Sequence, residues 1–363
     1  MRDLFPHLDR WQRDGEEIAL ATVVRVRGSA PRRPGARLAV TRTGRMAGSV
    51  SGGCVESDVY ERAQRVLDDG RPVLVTYGAA DELGLEVGLA CGGSIDVLIE
   101  SCAAGDAGDA RDALRRALET RTLAAFCVAV GPDALCGRSL SLAAGGAVVG
   151  SIAAELDAEI AAVAGTLLGG SSSVVIEQPW REETAEIFIE AFRAQSRLFI
   201  VGATHTAIPL CRIAKELGFE VTVVDAREVF ATEERFPEAD SLVRAWPDEA
   251  FEKIELTRDC HVVALTHDPK FDLPALALAL RSQAGYIGAL GSRRTHARRR
   301  EQLLGQGFSE DELARIRTPV GLDIGGRTPE EVALSIAAEM VALRRGRDGR
   351  PLMERRAPIH DDD

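Results

Sequence analysis

The chain is 363 residues long and carries a formal net charge of −12, which is enough length for two or three domains of roughly 150 residues without disulfide staples. The acidic balance offers no basic field to gather phosphate backbones, and general nucleic-acid binding is excluded. With 45% hydrophobic and 28% charged residues the chain is globular, no apolar run reaches the roughly 18 residues that cross a bilayer, and the start MRDLFPHLDRWQRDGEE lacks a signal-like apolar stretch, so a cytoplasmic protein without a membrane span is expected.

After a short first helix, IALATVVRVRGSAPRR reads as a β-rich segment that stops at a Gly-Ser-Ala-Pro turn, and ARLAVTRTGRMAGSV reads as two strands around Thr43-Gly44. From residue 54 to 69 the spacing is helical, with Val55, Val59, Ala63, Val66 and Leu67 on one face, entered directly from Gly52-Gly53. Strands are predicted over 72–77 and 95–100. A stretch rich in Ala, Gly and Asp at 101–110 marks a linker or exposed turn before a helix over 110–118. Residues 122–177 read as short strands with a helix near 151–168 and no catalytic motif. The sequence shows no internal repeat.

The 7 cysteines are scattered singly with no C-x-x-C pair, which disfavours a disulfide framework and a structural zinc site. Two stand out by context. The run Gly48-Ser49-Val50-Ser51-Gly52-Gly53-Cys54-Val55-Glu56 lies between a strand and a helix. Glycines there expose backbone amides to an anion, and a thiol in a helix's first turn is pushed toward the thiolate. Cys54 is therefore the expected reactive thiol, and a packed helix-start residue is the plain alternative. Cys91-Gly92-Gly93 is a second glycine-flanked cysteine, just before a strand, for which a packed loop thiol stands equally open. Thiolates are soft ligands suited to metal and sulfur chemistry.

From Arg197 onward, RLFIVG, EVTVVD, CHVVALTH and YIGALGS alternate with helical segments, as in a doubly wound parallel sheet of Rossmann type. The first strand-to-helix turn, Gly202-Ala203-Thr204-His205-Thr206-Ala207, keeps the first glycine of G-x-G-x-x-G/A and replaces the middle one with Thr204. Asp225 follows Gly202 by 23 residues, where an acidic side chain can bind a ribose hydroxyl. His205 opens the helix and could meet a phosphate, or simply cap. His267-Asp268 sits at the carboxyl end of a strand, where ligands dock in open α/β sheets. Arg293, Arg294, Arg298, Arg299 and Arg300 read mainly as a solvated helix face, with Ser292, Arg293 and Arg294, directly after the strand YIGALG, placed to bind an anion.

The segments RGSAPRRPGARLAV, GSVSGGCVE, CGGSIDVLIE, GFEVTVVDAR, ERFPEAD, LTHDPKFD, YIGALGSRR and GLDIGGRTPEEVALSIAAE together resemble the XdhC/CoxI family over nearly the whole chain. The resemblance implies an α/β protein with an N-terminal XdhC/CoxI-type α+β domain over 1–190, with a sub-boundary near 101–110, a Rossmann-like domain over 191–345 and a frayed charged tail over 346–363. It implies an accessory chaperone, with no catalytic residue of its own, that binds molybdenum cofactor (molybdopterin) as cargo. Such a chaperone protects the cofactor during sulfuration and helps insert it into xanthine dehydrogenase or a related molybdenum hydroxylase. The implied partners are that apo-hydroxylase and a cysteine desulfurase, with a homodimer expected because C2 dimers are the commonest assembly. The cofactor would be held by Gly48, Ser51, Gly52, Gly53, Cys54, Glu56, Cys91, Gly92, Gly93, Gly202, Thr204, His205, Asp225, Arg227, His267, Asp268, Ser292 and Arg293, with Cys54 as a molybdenum contact. Thr204 departs from the glycine common in the family's Rossmann loop. The alternative is an NAD(P)-dependent oxidoreductase that uses the Rossmann domain and a reactive thiol.

Overall fold

The computed structural model describes residues 1–78, 92–102, 106–170, 173–252 and 254–354. The chain divides into two units, one from Met1 to Ala194 and one that begins at Gln195.

The first unit runs α1 (Phe5–Arg13), β1 (Ile18–Arg27), β2 (Arg37–Thr41), β3 (Met46–Gly48), α2 (Glu56–Asp69), β4 (Val73–Tyr77), β5 (Ser94–Ser101), α3 (Asp106–Glu119), β6 (Ala124–Gly131), β7 (Ser139–Ala143), β8 (Val148–Gly150), α4 (Asp157–Leu167), β9 (Ser173–Trp180) and β10 (Glu183–Phe192). The succession of a helix, three strands, a helix and two strands thus occurs twice. The two antiparallel sheets share one topology, β3-β2-β1-β5-β4 and β8-β7-β6-β10-β9. This overturns the expectation of no internal repeat. The two halves match in detail: a register shift falls between Val23 and Arg25 in one and between Glu186 and Ile187, opposite Gly131 and Ala129, in the other.

The alternation of side chains along each strand builds three layers of core. Val24 and Leu98 of the first sheet meet Phe126, Val128 and Phe188 of the second, and α3 adds Ala110, Leu114 and Leu118. On the outer face of the first sheet, Val59, Ala63 and Val66 of α2 cover Ala21, Val23, Val97 and Ile99. On the outer face of the second, Ile160 and Ala164 of α4 cover Cys127, Ala129, Ile187 and Ile189. Each outer helix shows its sheet an apolar stripe at helical spacing, so burial of that stripe holds the helix in place. Two buried ion pairs cross between the halves from equivalent strand positions: Glu190 of β10 takes Arg37 of β2, and Glu100 of β5 takes Arg111 of α3 at 2.7 Å.

The second unit comprises β11 (Arg197–Val201), α5 (Ala207–Glu216), β12 (Glu220–Val224), β13 (Ser241–Val243), α6 (Pro247–Phe251), β14 (Cys260–Ala264), α7 (Pro269–Arg281), β15 (Tyr286–Ala289), α8 (Arg293–Gly305), α9 (Glu310–Leu313), β16 (Ile316–Arg317) and α10 (Pro329–Arg344). Its six strands are parallel in the order β13-β12-β11-β14-β15-β16. The strands are apolar on both sides, as a sheet covered by helices on both faces requires. Strand order reverses between β11 and β14, and the turns after these strands open on the crevice where such sheets take ligands.

Between the strands and α10 lies a buried histidine. His261 packs edge-on against Phe219 at 5.0 Å and stacks on Tyr286 at 5.8 Å, with Nδ1 3.2 Å from the Asp259 carbonyl. Burial lowers its pKa from 6.5 to about 4. The unfolded chain then holds one more proton between these values, so stability falls as pH drops from 6.5 toward 4. His261→Phe is expected to flatten this part of the stability profile by up to about 3 kcal/mol. Urea melts of both proteins at pH 7 and 4 check it, and parallel profiles would contradict it.

Candidate functional site

In the first repeat, β3 ends at Gly48 because the chain must pass the Arg37 carbonyl. A Cβ at Gly48 would lie 2.2 Å from that oxygen, and φ is +87°. The turn that follows closes on a carboxylate. Glu56 Oε1 accepts from the Ser49 hydroxyl at 2.7 Å and from the N–H groups of Val50, Ser51 and Gly52 at 3.3, 3.0 and 3.1 Å. Glu56 Oε2 accepts from the N–H groups of Gly53 and Val55 at 2.9 and 3.2 Å, and from the Ser51 hydroxyl. The Ser51 oxygen in turn accepts from the N–H groups of Cys54 and Val55 at 2.9 and 3.0 Å. Although burial works the other way, these hydrogen bonds draw the Glu56 pKa down to about 2.

This geometry corrects the expectation of bare amides waiting for an anion, since Glu56 and Ser51 already take the N–H groups from Val50 to Val55. Glu56 is thereby a positioning group inside the loop. Cys54 is exposed and stands one residue before the N-cap, Val55, of α2, so it is not in the first helical turn. A Cβ on Gly52 or Gly53 would meet nothing within 4 Å, so the backbone beside the thiol faces open space.

The second repeat provides an internal comparison. Gly150 lies against the Ser139 carbonyl, where a Cβ would come within 2.4 Å, again at φ +87°. Asp157 accepts from the Ser151 hydroxyl at 2.5 Å and from the N–H groups of Ile152 and Ala153 at 2.9 and 3.1 Å. The carboxylate-filled turn is therefore part of the repeat's architecture. What belongs to the first copy alone is Gly52-Gly53-Cys54, where the second has Ala154-Glu155.

Of the other N-terminal candidates, Gly93 packs against backbone, since a Cβ there would lie 2.2 Å from the Ser29 carbonyl. Gly92 is exposed, and Cys91 lies outside the described residues.

In the second unit the turns after β12, β11, β14 and β15 lie side by side on the carboxyl edge of the sheet. Asp225 is 0% exposed and accepts from the Ala203 N–H at 2.8 Å, the Arg227 N–H and Nε at 2.9 Å each, and Arg227 Nη2 at 2.7 Å. Its expected role as a ribose ligand is corrected, because the carboxylate is consumed in tying the turn after β11 to the one after β12. Those hydrogen bonds hold the Arg227 guanidinium above its ordinary pKa, with added attraction from Asp268. Gly202, at φ +100°, lies so close to the turn after β14 that a Cβ would fall 2.2 Å from Thr266 Cγ2. Thr204 is half-buried, while His205 and His267 are exposed. Asp268 caps α7 by accepting the Lys270 N–H at 2.9 Å, and Ser292 caps α8 by accepting from the Thr295 N–H. Arg293 and Arg294 are exposed.

One arginine of the basic run departs from the solvated face expected of it. Arg299 is 4% exposed, pairs with the fully buried Asp272, and donates to the Leu290 and Thr266 carbonyls at 2.8 and 3.3 Å. Thr266 donates to Asp272 at 2.6 Å. This network lies under the turns that carry His267 and Ser292 and fixes them to each other. Its sequence signal is the phase of α8, which puts Arg299 and Leu303 on the buried side.

Comparison with known proteins bears on the whole chain. Residues 11–78 match the model of the XdhC and CoxI family, and residues 198–340 match that of the XdhC Rossmann domain. A Bacillus subtilis (strain 168) protein, named for a probable xanthine dehydrogenase of which it is one subunit, is 30% identical over 350 residues, 93% of this chain and 96% of that one. An Escherichia coli (strain K12) protein named molybdenum cofactor insertion chaperone PaoD is 28% identical over 330 residues, 91% of this chain and 84% of that one. The crystal structure of a Bacillus halodurans protein described as a xanthine dehydrogenase superposes with a TM-score of 0.77 at 26% identity, covering 94% of this chain and 96% of that one. With relatives aligned almost end to end and family models matching in both units, the chain belongs to the XdhC and CoxI family, and its second unit is an XdhC Rossmann domain.

Proposed function

We propose that this protein is an accessory chaperone that binds molybdenum cofactor as cargo, shields it during sulfuration, and delivers it to xanthine dehydrogenase or a related molybdenum hydroxylase in the cytoplasm. The observation that carries this reading is the near full-length relation to a protein named as a molybdenum cofactor insertion chaperone. The site geometry supports it in two ways. Cys54 presents an exposed thiol on a turn whose glycines leave open space beside the backbone, which suits a soft ligand for a dithiolene-bound metal. The turn is held rigid by Glu56, so the thiol is placed before the cargo arrives. A dinucleotide redox role has less support, because Asp225 is closed to a ribose and Thr204 carries a side chain where a pyrophosphate needs bare backbone.

The reading is tested by expressing the protein in a host that makes the cofactor, denaturing the purified chain in oxidant, and assaying the supernatant. A fluorescent oxidised pterin near one per chain is expected, together with a thermal shift on adding cofactor and none with saturating NAD or NADP. Released nicotinamide without pterin would replace this reading by the oxidoreductase one.

A further inference from the structure

Beside the Asp225 turn the carboxyl edge of the second unit carries an aromatic ladder whose rings none of the roles above uses. The Arg227 guanidinium lies 4.5 Å from the Phe230 ring and 5.2 Å from the Phe271 ring, and Phe271 meets Trp246 at 4.5 Å with 32° between planes. Arg235 lies 5.4 Å from Phe230 at the other end. The ladder therefore ends on Trp246, beyond which no ring or guanidinium stacks among the described residues. Trp246 is 39% exposed, as is Phe230, whereas the other two tryptophans, Trp11 and Trp180, are 2% and 5% exposed. An indole left open at the end of a rigid stack is a platform for a flat heteroaromatic ring.

The polar groups nearby narrow the ring. Asp268 precedes Phe271 by one helical turn, its carbonyl accepting the Phe271 N–H at 3.0 Å. Its carboxylate is exposed and gives one oxygen to the Lys270 N–H, while Oδ2 accepts no hydrogen bond among the described residues. Asp248 and Glu249 lie two and three residues beyond Trp246, and the free Oδ2 of Asp268 is a place for an N–H donor. A carboxylate matches two adjacent N–H donors. The 2-amino-4-oxopyrimidine ring offers that pair, whereas adenine and cytosine place an acceptor beside the amino group.

We infer that Trp246, backed by Phe271 and Arg227, forms with Asp268, one helical turn before Phe271, a binding site for a 2-amino-4-oxopyrimidine ring, the ring common to pterins and guanine. The choice of pterin as its source rests on the cargo reading above. The probes are 6-carboxypterin, GMP and AMP, titrated calorimetrically into the full chain and into Trp246→Ala and Asp268→Asn. Asparagine caps a helix about as well as aspartate, so the second variant keeps α7 intact. The parent is expected to bind 6-carboxypterin and GMP at least tenfold more tightly than AMP, with GMP also quenching tryptophan emission. Trp246→Ala is expected to weaken pterin binding roughly tenfold, and Asp268→Asn to abolish the preference over AMP. Tighter binding of 6-carboxypterin than of GMP supports the site with a pterin as its occupant, and the reverse order supports it with a guanine nucleotide. AMP binding as tightly as the other two, or titrations unchanged in both variants, overturns the site. Cofactor retention separates the two readings. Retention by the parent with unaltered retention and ring binding in Trp246→Ala overturns this site and leaves the chaperone reading. Ring binding lost in Trp246→Ala, in a parent that never retains cofactor, upholds the site and defeats the chaperone reading.

Discussion

Replacing the Arg299 guanidinium by a methionine side chain is expected to cost the second unit about 3–5 kcal/mol, the usual penalty for stranding one partner of a buried ion pair. Asp272 is 0% exposed, and its burial pushes the carboxyl pKa up, with only Thr266, Arg299 and the charge of His267 opposing it. Without the arginine, the Leu290 carbonyl also loses its donor, as does the Thr266 carbonyl. In a unit of this size the loss corresponds to a fall in melting temperature of roughly ten degrees. Arg298→Met, one residue away and exposed, should change stability by no more than about 0.5 kcal/mol. Differential scanning calorimetry on the two variants decides the matter. A melting temperature for Arg299→Met within a degree of the parent would show that the network is not needed to hold the carboxyl-edge turns. Adding Asp272→Leu to Arg299→Met should recover much of the loss, because an apolar pair avoids the desolvation that the ion pair incurs.

The second large effect is expected at the filled turn before α2. Glu56→Ala removes the common acceptor of five backbone N–H groups and two hydroxyls. Hydrogen bonds to a charged group contribute more than neutral ones, and solvent screening of this half-exposed carboxylate limits the net loss to about 2 kcal/mol. The freed turn no longer fixes Cys54, so cofactor retention should fall at least tenfold. Asp157→Ala empties the matching turn of the second repeat. It should reduce stability by a similar amount and leave retention unchanged, because no cysteine stands there. Chemical denaturation and pterin release measured on the same preparations separate the two effects. If Asp157→Ala lost cofactor as severely as Glu56→Ala, the effect would be one of general stability and not of thiol placement.

The parallel sheet of the second unit was legible because apolar strands alternate with helical segments, a pattern that survives without any knowledge of contacts. The duplication in the first unit was not. Its copies share shape and burial but few identities, and the offset between equivalent residues drifts as turns shorten. Gly48-Ser49 and Gly150-Ser151, each followed by an apolar residue and then by a carboxylate at the helix start, are the trace it leaves in the sequence. Glycine-rich composition signalled the turn at Cys54, yet it could not reveal that the turn's anion is supplied by the chain itself. That fact depends on the path by which Glu56 folds back over the turn that precedes it. The apolar run EVTVV locates Asp225 just after β12, but its accessibility depends on where Ala203 and Arg227 come to rest. Trp246 and Phe230 lie in stretches without a recognisable motif, and only tertiary packing assembles them with Arg227 and Phe271.

Delivery of cargo is the claim on which the account depends. The direct measurement mixes cofactor-loaded protein with a purified apo-hydroxylase of the xanthine dehydrogenase class and follows hydroxylase activity, against free cofactor at equal concentration and against a loaded Cys54→Ser variant. Faster and more complete activation is expected from the loaded parent than from free cofactor, with the variant carrying less cofactor and activating correspondingly less. Activation no better than that by free cofactor, together with oxidation of purine or aldehyde by this chain alone, would contradict it.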